Sequence, residues 1–326
     1  MVPRVDEIPC LSLREIETEE SCMNLRAALS QFGFVALYDH GLPLGLRARA
    51  FEQIEAFFKL DLNDKLSCHR PDSGGARGYT PFGIEVAKDQ SVPDLKEFFH
   101  VGREQVRLTR HQSHANAAQL SALSTLPKNI WPAQLPAAPQ VFGELYQHLE
   151  AIGARVLSTI ARCLELSDSY FDDKIDVGNS LLRALHYPPL SVDPGEAVRA
   201  AAHEDINLIT LLIGSEQPGL EILDRSGRWI QAPSGDELII CNVGDMLERL
   251  TNDVLVSTTH RVVNPPLPWA KESRYSLPFF LHPNSDFLIQ SLDSCVSEQR
   301  PDRYPVPILA DDFLRQRLIE IGLIKI

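Results

Sequence analysis

The chain carries a histidine and an aspartate at a spacing that suits metal binding. His203 and Asp205 lie two residues apart in AAHEDINLITLL, a run rich in Ile, Leu and Thr that is typical of a β-strand. Residues i and i+2 of an extended strand project from the same face, so both side chains are expected on one side of the sheet. The pair could supply two ligands of one metal ion.

A third candidate ligand follows 55 residues after Asp205, at His260 in VSTTHRVVNPP. This segment is β-branched and also indicates a strand. Two histidines and one carboxylate on a β scaffold match the facial arrangement of non-haem Fe(II) oxygenases, which leaves adjacent coordination positions open. The three residues therefore predict a metal site.

A candidate anion receptor lies 14 residues after His260, in SRYSLPFFL. Arg274 and Ser276 are again two apart on a predicted strand and share a face. A guanidinium grips a carboxylate through two charge-assisted hydrogen bonds, and a neighbouring hydroxyl can add a third. These residues predict a receptor for a small dicarboxylate near the metal.

The order of these motifs carries more weight than any one of them. Alone, His-x-Asp is most often a surface strand with a local hydrogen bond. Here the chain has a single His-x-Asp and a single Arg-x-Ser, in the order His-x-Asp, distant His, Arg-x-Ser. A Zn²⁺ hydrolase also uses two histidines and a carboxylate, but it leaves Arg274 and Ser276 unexplained. A non-catalytic binding protein on a decayed barrel is the third alternative, which an intact triad disfavours.

On these motifs the chain resembles the iron(II)/2-oxoglutarate-dependent oxygenase superfamily, in particular its isopenicillin N synthase-like branch. QFGFVALYDHGLP, RGYTPFG, GLEIL and NVGDMLERLTN extend the resemblance over nearly the whole chain. It implies a mainly β protein with flanking helices and a double-stranded β-helix, or jelly-roll, core. It also implies Fe(II) held by His203, Asp205 and His260, with 2-oxoglutarate as co-substrate and O2 as oxidant.

The resemblance extends to the co-substrate wall, with one departure. Tyr187 matches the tyrosine of the family's R-x-N-x-Y-P-P stretch, which often contacts the co-substrate, but Leu185 occupies the usual asparagine position. Asn207 is a candidate to take over that contact. The glycine-rich loop SGGARGYTPFG makes Arg77 and Tyr79 candidate substrate residues, since loops on a rigid scaffold often carry binding groups.

Composition narrows the choice of partners and compartment. A net charge of −13 over 326 residues, without a basic stripe, argues against a nucleic-acid partner and leaves a small-molecule substrate. No run of apolar residues is long enough to suggest a membrane span, and the N-terminus lacks a signal-peptide pattern, so we expect a cytoplasmic protein. The six cysteines form no C-x-x-C pair and are expected to be free thiols.

Periodicity divides the chain near Asn179. Residues 1–178 are predicted to form a mixed α/β region, with helices after Thr18, across 46–66 and across the run that starts at Val141. Residues 179–326 are predicted to form the catalytic β domain with a C-terminal helix. We expect a monomer or weak homo-oligomer.

The sequence thus predicts a dioxygenase that oxidises, most simply hydroxylates, a small molecule and releases succinate and CO2. The alternative is an iron oxidase of the same fold that does not use 2-oxoglutarate, of the isopenicillin N synthase ring-closing or the ethylene-forming type.

Overall fold

The computed structural model describes residues 7–71, 76–85, 92–109, 112–190, 194–195, 197–214, 217–266 and 269–320. Its strands are β1 (Cys10–Ser12), β2 (Phe34–Tyr38), β3 (Gly78–Thr80), β4 (Glu97–Gly102), β5 (Leu181–Tyr187), β6 (Ala200–His203), β7 (Ile209–Ile213), β8 (Leu220–Leu223), β9 (Trp229–Gln231), β10 (Ile239–Val243), β11 (His260–Val262), β12 (Arg274–Leu281), β13 (Leu288–Ile289) and β14 (Ile308–Leu309). Its helices are α1 (Glu19–Gln31), α2 (Leu44–Phe58), α3 (Leu62–Ser67), α4 (Ala117–Thr125), α5 (Ala138–Cys163), α6 (Asp245–Leu250) and α7 (Ala310–Glu320).

Two sheets form the framework of the molecule. The major sheet has eight strands in the order β1-β2-β10-β7-β12-β5-β4-β3, and the minor sheet has four in the order β6-β11-β8-β9. Apart from the parallel β1–β2 pair, the neighbours in both sheets are antiparallel. The predicted jelly-roll core with flanking helices is confirmed. Strands from both sides of Asn179 build the major sheet.

Strand β12 shows how the sequence divides core from site. Alternate residues of a strand face opposite ways, and in RYSLPFFL the apolar Leu277, Phe279 and Leu281 join the main hydrophobic core. Phe279 meets Tyr146 of α5 edge-on, with ring centroids 4.9 Å apart. Arg274, Ser276, Pro278 and Phe280 point the other way and line a cavity between the sheets. One face of β12 is thus core and the other is site.

The predicted helices are confirmed with one exception. Thr18 caps α1 by accepting a hydrogen bond from the Ser21 amide at 3.2 Å, as its position predicts. The single helix predicted across 46–66 is wrong, because the chain leaves one helix after Phe58 and begins another at Leu62.

Cys22 and Cys163 are joined by a disulfide, so the prediction of six free thiols is also wrong. Because the two cysteines are 141 residues apart in the sequence, the sequence does not show that α1 lies beside the end of α5.

Within the described ranges, no helix is both long and apolar enough to cross a membrane.

Candidate metal centre

Two histidines face each other across the minor sheet. His203 ends β6, His260 begins β11, and the antiparallel register pairs them directly. Each ring places its Nδ1 against the carbonyl two residues earlier, at 2.8 Å from Ala201 O and 3.1 Å from Thr258 O. A carbonyl only accepts, so Nδ1 carries the proton and Nε2 keeps its lone pair. Both rings therefore present a metal-binding nitrogen.

Asp205 reaches the pair in a different way from that predicted. Strand β6 ends at His203, so Asp205 lies in the connection that carries the chain from the minor to the major sheet. The prediction that both side chains share the face of one strand is wrong. The crossing segment is held instead by the start of α6, where the amide of Asp245 donates to Asp205 O at 2.8 Å. This contact, and not the strand period, fixes the segment that carries the third side chain.

Two residues that the sequence analysis missed orient the Asp205 carboxylate. Oδ2 accepts from the Thr210 hydroxyl at 2.6 Å and from the Asn242 side-chain amide at 2.8 Å. Burial alone would raise the pKa of Asp205, but His260, His203 and these two hydrogen bonds hold it below its usual value. The carboxylate is therefore ionised and fixed, which is how outer partners prepare a metal ligand.

The three side chains meet the requirements of a transition-metal site. One ligand atom from each of His203, Asp205 and His260 lies within 4.8 Å of the other two, and in the described part of the chain this is the one such group. Burial, reinforced by His260, lowers the pKa of His203 to about 4, so its ring is neutral at neutral pH. Two imidazoles and one carboxylate on one side of a cavity suit Fe(II) with open positions.

Arg274 is a buried cation to which the described part of the chain supplies no anionic partner. Its side chain is 4% exposed, and Nε and Nη1 have no hydrogen-bond partner within the described ranges. Its guanidinium carbon lies 5.0 Å from the ring centroid of Tyr187, its cross-strand neighbour on β5. Leaving buried donors unpaired costs on the order of 1–3 kcal/mol. This cost indicates that a ligand, and not the protein, is meant to satisfy them.

A second buried guanidinium adds positive charge next to Arg274. Arg199 lies 5.8 Å from the Tyr187 ring, and its pKa falls to about 10 because of burial and of the neighbouring Arg274. The contacts of Arg199 go to neutral oxygens, at 3.3 Å from Gln217 Oε1 and from Glu272 O. Two cations with no carboxylate between them among the described residues favour an anionic ligand.

The metal triad lies where two cavities meet. The inner cavity is the space between the sheets bounded by Arg274, Ser276, Tyr187, Leu185 and His260. The outer cavity is the opening next to it, and its walls include β-strand residues and helix α7. His203 and Asp205 line both. The inner cavity thus brings Arg274 and Ser276 together with the three candidate metal ligands.

Asn207 does not reach this enclosure. It is 1% exposed, and its Nδ2 donates to Ile209 O at 2.6 Å and to the Thr210 hydroxyl at 3.2 Å. It lines the outer cavity but not the inner one. Its placement does not support the predicted contact with the co-substrate, because its side chain holds the turn that supports Thr210. Leu185 leaves an apolar wall where the family's asparagine would stand.

Arg77 and Tyr79 lie in the interior instead of beside a substrate. Both are almost fully buried, and neither lines the inner or the outer cavity. Arg77 donates to Asn179 Oδ1 at 2.9 Å and its guanidinium covers Gly102, where a Cβ would overlap it. The Tyr79 hydroxyl donates to Glu97. The glycine-rich composition did not reveal that Tyr79 lies in the buried edge strand β3 and that Arg77 comes just before it. Their burial corrects the prediction that both residues contact the substrate.

Comparison with known proteins agrees with this geometry. A family model described as the 2OG-Fe(II) oxygenase superfamily matches residues 178–283, and one described as the N-terminal region of a non-haem dioxygenase in morphine synthesis matches residues 8–134. A proline hydroxylase, buaE, from Petromyces alliaceus is 30% identical over 98% of this chain and 99% of that protein.

Solved structures agree as well. A Caulobacter crescentus protein assigned to the 2OG-Fe(II) oxygenase family is 42% identical, with a TM-score of 0.85, over 97% of this chain and 100% of that chain. A full-length Neurospora crassa protein, solved in complex with alpha-KG (2-oxoglutarate), is 27% identical with a TM-score of 0.80 and 95% coverage of both chains.

Proposed function

The chain belongs to the 2OG-Fe(II) oxygenase superfamily, and on that premise we propose which of its residues carry the reaction. The protein is a 2-oxoglutarate-dependent dioxygenase that uses Fe(II) and O2. We propose that it hydroxylates a small molecule, as the name of the proline hydroxylase relative suggests. The observation that carries the assignment is the buried Arg274 guanidinium, whose Nε and Nη1 lack a partner among the described residues, in the cavity that also contains the triad.

We propose that Nε2 of His203, Nε2 of His260 and the carboxylate of Asp205 bind the iron. The support is the fixed Nδ1 proton on each ring and the two hydrogen bonds to Asp205 Oδ2. Neutral imidazoles and one carboxylate leave a single positive charge on an Fe(II) site. Dianionic 2-oxoglutarate would then be balanced by the metal and by Arg274.

We propose that Arg274 and Ser276 hold the far carboxylate of 2-oxoglutarate, with Tyr187 keeping the guanidinium in place. Nε and Nη1 of Arg274 are the free donors, and Ser276 lies two residues further along the same face of β12. When bound, iron and 2-oxoglutarate would activate O2, which is the oxidant: one oxygen atom would go to 2-oxoglutarate, which loses CO2 and becomes succinate, and the other would go to a C–H bond of the substrate.

The protein also keeps water from this chemistry. Leu185, Tyr187, Ala200 and Val262 form a small hydrophobic cluster that also lines the inner cavity. An apolar wall next to the co-substrate strengthens the charge pairing at Arg274, because the local dielectric is low. It also leaves the outer cavity as the route by which a substrate reaches the metal.

An oxidase of the same fold that ignores 2-oxoglutarate would use the same triad. It would have to satisfy Arg274 with a group from its own substrate. The discriminating experiment measures CO2 from 2-oxoglutarate labelled at carbon 1, with and without Fe(II), for the wild type and for Asp205→Ala. The proposal expects release that requires Fe(II) and is lost in the variant. Substrate oxidation without 2-oxoglutarate would overturn it.

We further propose that residues 179–326 form the catalytic domain and 1–178 the supporting region of the isopenicillin N synthase-like branch. The two family models, which match 8–134 and 178–283, support this division. The cytoplasmic location and the monomeric or weakly oligomeric state stay predictions from the sequence.

A further inference from the structure

The outer cavity contains a cation that neither the iron nor the co-substrate requires. On β5, Tyr187 pairs with Arg274 and Leu185 with Ser276, so Arg183 stands two residues further from the co-substrate end. Arg183 lines both cavities, as do His203 and Phe280. It therefore lies beside the metal site, on the side from which a substrate enters.

The hydrogen bonding of Arg183 is incomplete on the cavity side. Nε donates to His100 Nε2 at 2.6 Å, while Nη1 is 3.4 Å from each Glu85 oxygen. Nη2 has no hydrogen-bond partner among the described residues. The guanidinium carbon lies 4.2 Å from the Phe98 ring centroid and 5.2 Å from that of Phe280. Two aromatic rings thus hold a flat cation in place while one of its nitrogens stays available.

The other cations of the outer cavity are already committed. Lys96 is 5% exposed and lies 2.9 Å from Glu85 and 2.8 Å from Asp94. Arg317 of α7 lies 3.1 Å from Asp245. Both are closer to a carboxylate than Arg183 is to Glu85. Within the described part of the wall, Arg183 is the cation best able to accept an incoming anion.

The apolar part of the remaining wall indicates that the rest of the ligand is apolar. Apolar side chains from three directions line the outer cavity: Leu181, Ile206, Phe280, Leu314 and Leu318. We propose that the prime substrate is a small hydrophobic carboxylic acid. Its carboxylate binds Arg183 in place of the long Glu85 contact, and its apolar body lies against Phe280 and α7. This inference rests on the proposed function, because it assumes that oxidation occurs at the triad.

The reverse charge pattern, an amine bound by Glu85, fits the contacts less well. Glu85 already lies between Lys96 and Arg183, which together repel a further cation. The other carboxylates of the described wall have partners of their own: Asp94 contacts Lys96, Asp245 and Glu320 contact Arg317, and Glu204 accepts a hydrogen bond from Thr259. An incoming amine would have to displace one of these contacts. A carboxylate that replaces Glu85 at Arg183 leaves Glu85 paired with Lys96.

The test compares matched probes that differ only in charge: octanoic acid, octanamide and octylamine, and 4-phenylbutyric acid with its amide and amine. Binding is measured calorimetrically on protein loaded with 2-oxoglutarate and with Zn²⁺, which does not turn over. We expect each acid to bind at least about tenfold more tightly than its amide or amine, since a charge-assisted hydrogen bond is at stake. Arg183→Met should remove this preference, and Arg183→Lys should keep part of it.

Two further variants make the result decisive. Arg49→Met removes an exposed arginine of α2 and should leave the preference intact. Glu85→Gln should strengthen acid binding, because it removes the competing carboxylate. This variant still tests the proposal if Arg183→Met fails to fold. Tighter binding of the amines, no preference among the probes, or a preference that survives Arg183→Met would overturn the proposal. Binding and consumption of 2-oxoglutarate by the wild type are measured first, so failure there counts against the proposed function instead.

Discussion

His203 and His260 are direct cross-strand partners, with ring centroids 4.4 Å apart, on the antiparallel strands β6 and β11. Their meeting therefore depends on sheet register and not on any local motif. A slip of one residue would turn one ring to the other face of the minor sheet. The pairing explains how ligands 57 residues apart in the sequence reach a single point.

Arg274→Lys should weaken 2-oxoglutarate binding by about 10- to 100-fold. An ammonium cannot reproduce the two-pronged grip of a guanidinium, and at least one charge-assisted hydrogen bond is lost. Calorimetric titration of the Zn²⁺-loaded protein with 2-oxoglutarate measures the change. Arg49→Lys, on the surface of α2, is the matched control. An unchanged affinity in the Arg274 variant would remove this residue from the co-substrate site.

Thr210→Val should lower metal affinity by about 10- to 100-fold, as loss of an outer hydrogen bond to a metal ligand typically does. The substitution keeps the shape of the side chain but removes the donor to Asp205 Oδ2 at 2.6 Å. Titration with Co²⁺ measures it. Thr159→Val is the control, because that buried threonine of α5 bonds to Arg155 O, a carbonyl of its own helix. Equal Co²⁺ affinity in the two variants would show that Thr210 does not orient the carboxylate.

Gly244→Ala should damage the metal site and the fold together. A Cβ at this position would lie 2.2 Å from Asn207 O and 2.9 Å from Asp205 O, so the segment that carries Asp205 must move. We expect a loss of about 1–3 kcal/mol in the free energy of unfolding and weaker Co²⁺ binding. Gly143→Ala should instead stabilise α5 by about 0.5–1 kcal/mol, since its Cβ meets nothing within 4 Å. Chemical denaturation of both variants would reveal the contrast, and similar behaviour would refute it.

Glu248→Gln should make stability less dependent on pH. Burial, aided by Asp253 and Asp245, raises the pKa of Glu248 to about 7 from 4.5. The folded protein therefore binds this proton more tightly than the unfolded chain, and its contribution is lost as pH rises from 4.5 through 7. Glutamine keeps the acceptor for the Ser257 amide. In urea unfolding of the metal-free protein, the variant should gain on the order of 1 kcal/mol over the wild type at pH 8 and nothing at pH 4.5. An equal difference at both pH values would argue against it.

The sequence predicted the site best where strand alternation determines it. Arg274 and Ser276 both face the cavity because β12 is a regular strand whose other face packs into the core. Asp205 came together with the histidines although the predicted reason was wrong. The change of sheet after His203 was missed because AAHEDINLITLL contains no Gly or Pro to mark the break between β6 and β7.

The hydrogen bonds that orient Asp205 could not be predicted from the sequence, for a different reason. Thr210 and Asn242 bind Asp205 from β7 and β10, which become neighbours only when the major sheet forms. For Arg77 and Tyr79, the sequence pattern led to the wrong prediction. Their glycine-rich surroundings suggested an exposed loop, whereas a glycine of this loop allows close packing: a Cβ at Gly78 would lie 2.1 Å from Cys68 O.

The most direct test of the account is an anaerobic crystal structure of the protein with Fe(II) and 2-oxoglutarate. The account predicts an anomalous iron peak in contact with His203, Asp205 and His260, with the far carboxylate of 2-oxoglutarate on Arg274 and Ser276. Iron bound elsewhere, or 2-oxoglutarate bound without contact to Arg274, would contradict it.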